Sequence, residues 1–87
     1  DISRFQKLTA LRLASIVCDE DSLRGFKDLA NLQYLSFRNC TVHPKFLEEI
    51  INFTHLEVLK VPNCEINDVI LSRIIQRNPM LCYLDIS

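Results

Sequence analysis

Cysteine and histidine are among the residues of this sequence whose side chains could bind a metal ion or form a covalent bond. The four cysteines lie at positions 18, 40, 64 and 82, and none belongs to the C-x-x-C pair of a zinc site or a redox centre. Cys40 and Cys64 occupy equivalent places in a repeated pattern, so their thiols could approach closely enough for a disulfide or a shared metal. The structural alternative is a buried thiol that donates weakly to a backbone carbonyl. We favour this alternative, because free cysteine is among the most buried residue types.

Catalysis would need a nucleophile and a base at a suitable spacing. His43 precedes Pro44 and His55 precedes Leu56 in predicted loops, yet neither lies in a G-x-S-x-G or H-E-x-x-H motif. Gly25 is the single glycine, which excludes a glycine-rich phosphate loop. We therefore predict that the chain is not an enzyme and uses no metal or other cofactor.

The elements that must position these residues follow from an internal repeat. Four segments share the pattern L-x-x-L-x-φ, where φ is apolar, and begin at Leu8, Leu32, Leu56 and Leu81, at intervals of 24, 24 and 25 residues. Such intervals are typical of leucine-rich repeats, whose strand–helix units bury their apolar faces only by stacking on each other. The sequence predicts an α/β leucine-rich-repeat solenoid, a right-handed superhelix of strand–helix units with a curved parallel sheet.

We expect one array fragment over residues 1–87, with no internal domain boundary. Strands are predicted near 10–13, 34–37, 58–61 and 83–86. Helices are predicted near 22–29, 45–52 and 68–77. Ser22, Pro44 and either Asn67 or Asp68 supply the helix starts. The alignment also predicts two inward-facing columns of side chains, one of Ile2, Phe26, Ile50 and Ile75, the other of Phe5, Leu29, Phe53 and Asn78.

Both ends of the array are expected to expose apolar surface. One apolar edge would consist of Ile2, Phe5, Leu8, Leu11 and Leu13. The last predicted strand, near 83–86, has no helix after it in the sequence, which stops at Ser87. Complete solenoids cover such ends with polar caps. We therefore expect further repeats of the same chain to flank these residues as packing partners.

The outward side chains of the predicted strands form a candidate binding surface on the concave face, because successive strand residues point to opposite sides of a sheet. They fall into three columns: Ala10, Tyr34, Val58 and Tyr83; Arg12, Ser36, Lys60 and Asp85; Ala14, Arg38, Pro62 and Ser87. Tyrosine and arginine are enriched at interface hot spots. The alternative is that these side chains only cover the leucines beneath them. We predict that a protein partner contacts Arg12, Tyr34, Ser36, Arg38, Val58, Lys60, Tyr83 and Asp85.

Composition limits the other possible partners. Hydrophobic residues make up 48% of the chain and charged residues 24%, so the chain is too apolar to be disordered. No unbroken apolar run could span a membrane. A formal charge of −1 gives no long-range attraction to nucleic acid or anionic lipid. We expect neither nucleic acid nor membrane as a partner, and unpaired thiols favour the cytoplasm or nucleus.

Residues 56–87 resemble the cysteine-containing leucine-rich repeats of F-box substrate receptors, whose repeat reads roughly L-x-L-x-x-C-x-I-T-D-x-x-L-x-x-I-x-x-x-C-P-x-L-x-x-L-D-L-S. Asn67 stands in place of the usual threonine and Asn78 in place of the cysteine before Pro79. The repeats are also similar to those of Elongin-linked cullin receptors, and residues 32–40 to those of nucleotide-binding immune receptors. The matching positions are Cys64, Ile66, Asp68, Leu71, Ile74, Pro79, Leu81, Leu84, Asp85 and Ser87.

The resemblance implies a protein-recognition function without catalytic residues. It favours the substrate-binding repeats of a cullin-RING ubiquitin ligase receptor. The alternative is a regulatory or assembly scaffold with no link to a ligase, including the sensor array of an immune receptor. An F-box-like helical segment or a nucleotide-binding loop elsewhere in the full protein would distinguish the two.

Overall fold

Short parallel strands and the helices between them make up the structure. The computed structural model describes residues 3–19, 25–61 and 68–86. In these ranges the strands are β1 (Ala10–Ala14), β2 (Val17–Cys18), β3 (Tyr34–Arg38), β4 (Thr41–Val42), β5 (Val58–Lys60) and β6 (Tyr83–Asp85). The helices are α1 (Pro44–Ile50) and α2 (Asp68–Arg77), with 3-10 turns at Ser3–Phe5 and Phe26–Asp28.

The main sheet contains β1, β3, β5 and β6 in that order, and all its strand pairs are parallel. Each strand overlaps its predicted range. The carbonyl of Thr9 accepts hydrogen bonds from the amides of both Gln33 and Tyr34, at 2.7 and 3.0 Å. Gln33 and Glu57 repeat this arrangement with the next strands, each accepting two amides. The same backbone geometry therefore recurs at sequence steps of 24, 24 and 25 residues.

A second sheet, which the sequence analysis did not predict, pairs β2 with β4 in parallel. Each of these strands follows a main-sheet strand after a residue in the left-handed region, Ser15 with φ 59° and Asn39 with φ 53°. The Ser15 amide also donates to the Arg38 carbonyl at 2.9 Å. Two-residue strands are too short to show an alternating pattern, so no periodicity in the sequence indicates them.

Inward side chains of the main sheet form one core with the helices. Phe46 on α1 lies 4.5 Å from Phe26 and 6.0 Å from Phe37 on β3, measured between ring centroids. Phe53 packs edge-on against Phe26 at 5.1 Å. Aromatic pairs at these separations contribute about 0.5–1.5 kcal/mol each beyond their buried area. The phenylalanines thus connect two successive strand–helix units.

Two predicted helices lie close to their expected ranges, while the first differs. Helix α1 begins at Pro44, whose fixed φ suits the first helical position. Helix α2 covers 68–77, and its proposed cap Asn67 lies outside the described residues. Within the predicted helix 22–29, the described part contains only the 3-10 turn Phe26–Asp28. Gly25 precedes that turn with φ 84°, a left-handed conformation that interrupts an α-helix, and Ser22 lies outside the described residues.

The predicted inward columns need one correction. Ile75 is 46% exposed, whereas Ile74 is fully buried, so Ile74 follows Ile50 in the core. Ile74 lies 24 residues after Ile50, and Asn78 lies 25 after Phe53. The extra residue of the last repeat is therefore accommodated between positions 74 and 78, a location that strand alignment does not reveal. Phe5 is 43% exposed, and Ile2 lies outside the described residues.

The two edges of the main sheet carry apolar side chains. Next to β1, Leu8, Leu11 and Leu13 are only half-buried and Arg4 covers the Phe5 ring at 4.7 Å. Close to β6 in the chain, Met80 is 70% exposed and Ile86 is 42% exposed. None of the helices described has the length and apolar character needed to cross a membrane.

Asn78 is a polar residue at a core position. It is 1% exposed, and its Oδ1 accepts the Leu56 amide at 2.8 Å while its Nδ2 donates to the Ile74 carbonyl at 2.7 Å. It therefore ties the end of α2 to the loop before β5. Both polar atoms of the side chain are satisfied, which offsets the cost of burying an amide among apolar residues.

We predict that Asn78→Ala lowers the free energy of unfolding by about 2 kcal/mol, because the buried Leu56 amide loses its acceptor. Asn52→Ala is the matched control. The Asn52 Nδ2 also donates to a helix carbonyl, that of Glu49 at 3.2 Å, but it is exposed. This control should change stability by no more than about 0.5 kcal/mol. Urea unfolding measures both variants. Equal decreases in the free energy of unfolding would show that the buried hydrogen bonds of Asn78 stabilise the fold no more than the exposed one of Asn52.

Candidate protein-binding site

The predicted binding residues lie together on the side of the main sheet that faces away from the helices, called here the sheet face. Strand register aligns the first row as Ala10, Tyr34, Val58 and Tyr83. It aligns the second row as Arg12, Ser36, Lys60 and Asp85. The third row contains Ala14 beside Arg38, and its predicted members Pro62 and Ser87 lie outside the described residues.

Alternation along the strands produces this surface. Leu35 and Leu59 are fully buried, while the residues on either side of them are more accessible. Arg12 and Arg38 are exposed, and Tyr83 is 51% exposed. Half-buried positions of the sheet face are Tyr34, Ser36, Val58, Lys60 and Asp85.

Cations and aromatic rings on the sheet face contact each other in a zigzag across four strands. The Arg12 guanidinium carbon lies 5.0 Å from the centroid of the Tyr34 ring. The Lys60 Nζ lies 5.6 Å from the same ring and 5.5 Å from that of Tyr83. Each contact is diagonal. Arg12 and Lys60 both align with Ser36, two residues beyond Tyr34. Lys60 also aligns with Asp85, two residues beyond Tyr83. Diagonal neighbours on adjacent strands are within reach of long side chains.

The sequence analysis selected these residues separately and did not identify the contacts between them. The sequence does contain a signal for these contacts. A cation on one strand and a tyrosine on the next alternate across the sheet, and in each pair the two residues are offset by two positions in the register. Cation–π contacts at exposed sites are worth about 0.5–1 kcal/mol each. Three such contacts restrict the rotamers of long side chains before any partner arrives, which lowers the entropy cost of binding.

The cations also affect the Tyr34 hydroxyl. Hydrogen bonding from Lys60 lowers the pKa of Tyr34 below its ordinary value, and the positive charges of Lys60 and Arg12 act in the same direction. Partial removal of the ring from water opposes the change in pKa but is outweighed. The phenolic oxygen of Tyr34 thus accepts a hydrogen bond from Lys60 and lies near two positive charges. Such an environment favours the negatively charged form of an acidic group that lies beside it.

The described cysteines lie away from the zigzag of cations and rings, and their thiols are buried or contact backbone carbonyls. Cys18 is fully buried, and burial raises the pKa of its thiol to about 12, with the nearby Cys40 adding to the effect. The prediction that Cys40 donates to a backbone carbonyl is confirmed, since its Sγ lies 3.3 Å from the Arg38 oxygen, although the residue is half-buried rather than buried. Cys64 lies outside the described residues. Cys18, Cys40 and Cys82 are free thiols.

The two histidines lie in separate parts of the structure. His43 is exposed and immediately precedes α1. His55 Nδ1 lies 3.1 Å from the Thr54 hydroxyl and 3.3 Å from the Ala30 carbonyl, so it links the loops before β3 and β5. Among the described residues, no three His, Cys, Asp or Glu side chains are grouped so that they could hold a metal ion.

We predict that Lys60→Met raises the pKa of Tyr34, because it removes the hydrogen bond that lowers it most. Spectrophotometric titration of tyrosinate measures the change, in a Tyr83→Phe background that leaves Tyr34 as the one ionising phenol. Lys27→Met, which removes an exposed lysine from the Phe26–Asp28 turn, is the control and should leave the titration unchanged. An unaltered Tyr34 titration in Lys60→Met would contradict the contact.

We compared the chain with protein-family models, with curated proteins and with solved structures, and found no match in any of the three. The family resemblance of residues 56–87 therefore stays a prediction from the sequence. The function of the sheet face has to be argued from its own residues and geometry.

Proposed function

We propose that this chain is a protein-recognition module whose sheet face binds a protein partner. The supporting observation is the zigzag of Arg12, Tyr34, Lys60 and Tyr83, held together by three cation–π contacts on an accessible surface. Tyrosine and arginine provide large contact areas and directional hydrogen bonds, and they dominate interface hot spots. The proposal assigns the chain no catalytic step and no cofactor.

We further propose that the sheet belongs to a leucine-rich-repeat solenoid. Its support is the recurrence of one arrangement, in which Thr9, Gln33 and Glu57 each accept two amides from the next strand. A solenoid would make the sheet face concave, so that it could surround a convex partner. Flanking repeats of the same chain would cover the apolar side chains at the β1 and β6 edges, among them Leu13 and Met80.

A stable interface buries about 800 Å² on each partner, or roughly 20–30 residues. The eight predicted contact residues are fewer than that, so flanking repeats would have to extend the surface. They nevertheless supply its centre, because hot-spot residues cluster near the middle of an interface. Val58 adds an apolar contact between the two tyrosines of the first row.

The full protein is proposed to be the substrate receptor of a cullin-RING ubiquitin ligase. This step rests on the resemblance of residues 56–87 to the repeats of F-box receptors. We also propose a cytoplasmic or nuclear location, in which thiols such as Cys82 stay reduced. The alternative, a scaffold or immune-receptor array without a ligase, keeps the same use of the sheet face.

A photo-reactive amino acid at Ser36 in the full-length protein should cross-link to a protein partner in cells, because Ser36 lies at the centre of the sheet face. The same amino acid at Glu48, exposed on α1, is the control and should not give that adduct. Mass spectrometry identifies the partner. Ser36→Trp should then weaken its binding at least about thirtyfold, equivalent to about 2 kcal/mol, by steric obstruction.

Glu48→Trp is the matched bulky substitution on the helical side, and it should bind the same partner with unchanged affinity. Circular dichroism confirms that both variants fold. If Ser36→Trp binds as well as the unaltered protein, or if the adduct forms at Glu48 instead, the sheet face is not the binding surface.

The ligase link is tested separately. The affinity-purified full-length protein should contain a cullin adaptor in a stable complex, and a variant lacking residues 1–87 should keep the adaptor while losing the partner found through Ser36. This division is expected because substrate-binding repeats and adaptor-binding segments act independently in modular receptors. Purification without any cullin adaptor would contradict the ligase proposal and favour the scaffold.

A further inference from the structure

Three positive side chains on the sheet face surround a small one. Arg12, Ser36 and Lys60 lie in one row on three adjacent strands. Strands are about 4.8 Å apart, so the backbones of Arg12 and Lys60 are separated by about 10 Å across Ser36. Ser36 has the shortest side chain of the three, and the cations on its two sides both contact the Tyr34 ring.

Arg38 extends this positive region along β3. It follows Ser36 by two residues and therefore points to the same side, about 7 Å farther along the strand. It is exposed, and its neighbour across the register is the small Ala14. The described sheet face thus carries three cations on β1, β3 and β5, and a single carboxylate, Asp85, on β6.

We propose that the partner segment bound by the sheet face is acidic, with one carboxylate over Ser36 between Arg12 and Lys60 and a second beside Arg38. This inference rests on the proposed function and adds the chemistry of the partner. The Ser36 hydroxyl supplies a further hydrogen-bond donor to the first carboxylate. The Tyr34 and Tyr83 rings, in the row that precedes Ser36, provide apolar contact for the part of the segment beyond the first acidic residue.

Contact with Tyr34 does not consume the hydrogen-bonding capacity of Arg12. A guanidinium over a ring still presents the N–H groups of its edge, which match a carboxylate in a bidentate arrangement. Lys60 offers three rotatable donors from the opposite side of Ser36.

The spacing of the cations favours several carboxylates over a single phosphate group. Phosphate-binding sites bring their donors to one point, whereas the backbones of Arg12, Lys60 and Arg38 are about 7–10 Å apart. An extended peptide presents every second side chain on one side, at intervals of about 7 Å. Acidic residues at alternate positions of such a peptide would therefore place one carboxylate over Ser36 and the next beside Arg38.

The test uses the full-length protein and fluorescein-labelled peptides of about nine residues in which Glu alternates with Ala. We expect the Glu peptide to bind at least about tenfold more tightly than its Gln counterpart in about 50 mM salt, and to weaken as salt rises, because exposed charges are screened. A peptide with one phosphoserine among alanines, and a short oligothymidylate, complete the set of probes. Fluorescence anisotropy measures each affinity.

Arg12→Glu with Lys60→Glu should reduce binding of the Glu peptide by at least about tenfold. Arg73→Glu with Arg77→Glu on α2 makes the same change in net charge on an exposed helix surface and is the matched control, expected to leave most of the binding intact. Circular dichroism and urea unfolding verify that both double variants keep the fold.

Equal binding of the Glu and Gln peptides, or equal losses in the two double variants, would overturn the inference. Tighter binding of the single phosphoserine peptide would replace it with a phosphate site, and tighter binding of oligothymidylate with a nucleic-acid site. The proposed function fails differently. If Ser36→Trp abolishes partner binding while the charge reversal does not, the sheet face binds a protein but not through an acidic segment.

Discussion

The hydrogen bonds at the starts of β3, β5 and β6 hold each of these strands against the one before it, and the rest of the described sheet depends on them. A single carbonyl, that of Thr9, Gln33 or Glu57, accepts two successive amides of the next strand and so sets the parallel register. A shift of one residue would turn the leucines outward and the charged residues into the core. The rows of the sheet face and the apolar core therefore depend on the same few backbone contacts.

The core tolerates one polar residue because the register brings complementary groups to it. Asn78 lies where Leu29 and Phe53 lie in earlier units, and it forms two hydrogen bonds under 3 Å in place of their apolar contacts. One of them ends helix α2 and the other holds the loop that leads to β5. A buried amide that connects neighbouring units restricts their relative position more than a ring would, since hydrogen bonds are directional.

Repetition explains why the main strands and the outward rows could be predicted from the sequence. Each leucine position of the pattern recurs in all four repeats, so the alignment does not depend on a single chance match. The departures have local causes that repetition hides. Gly25 interrupts the first predicted helix, the extra residue near Ile75 moves Ile74 into the core, and the β2–β4 sheet depends on left-handed turns at Ser15 and Asn39. Of the site, residue types and rows could be predicted, but the diagonal contacts depend on rotamers that one sequence does not specify.

The order of charges across the sheet gives the face a direction. Arg12 and Lys60 lie on β1 and β5 of the second row, and Asp85 follows on β6, so the row changes sign at one edge. An acidic segment lying along β3, as proposed, would have Arg12 on one side and Lys60 on the other, and a displacement towards β6 would bring its carboxylates to Asp85. Repulsion of this kind would fix the position of the segment more sharply than an additional attraction would, because the displaced segment loses contacts and gains a clash of charges. In the proposed complex the carboxylate of Asp85 would limit where the segment lies, while the cations would supply the attraction.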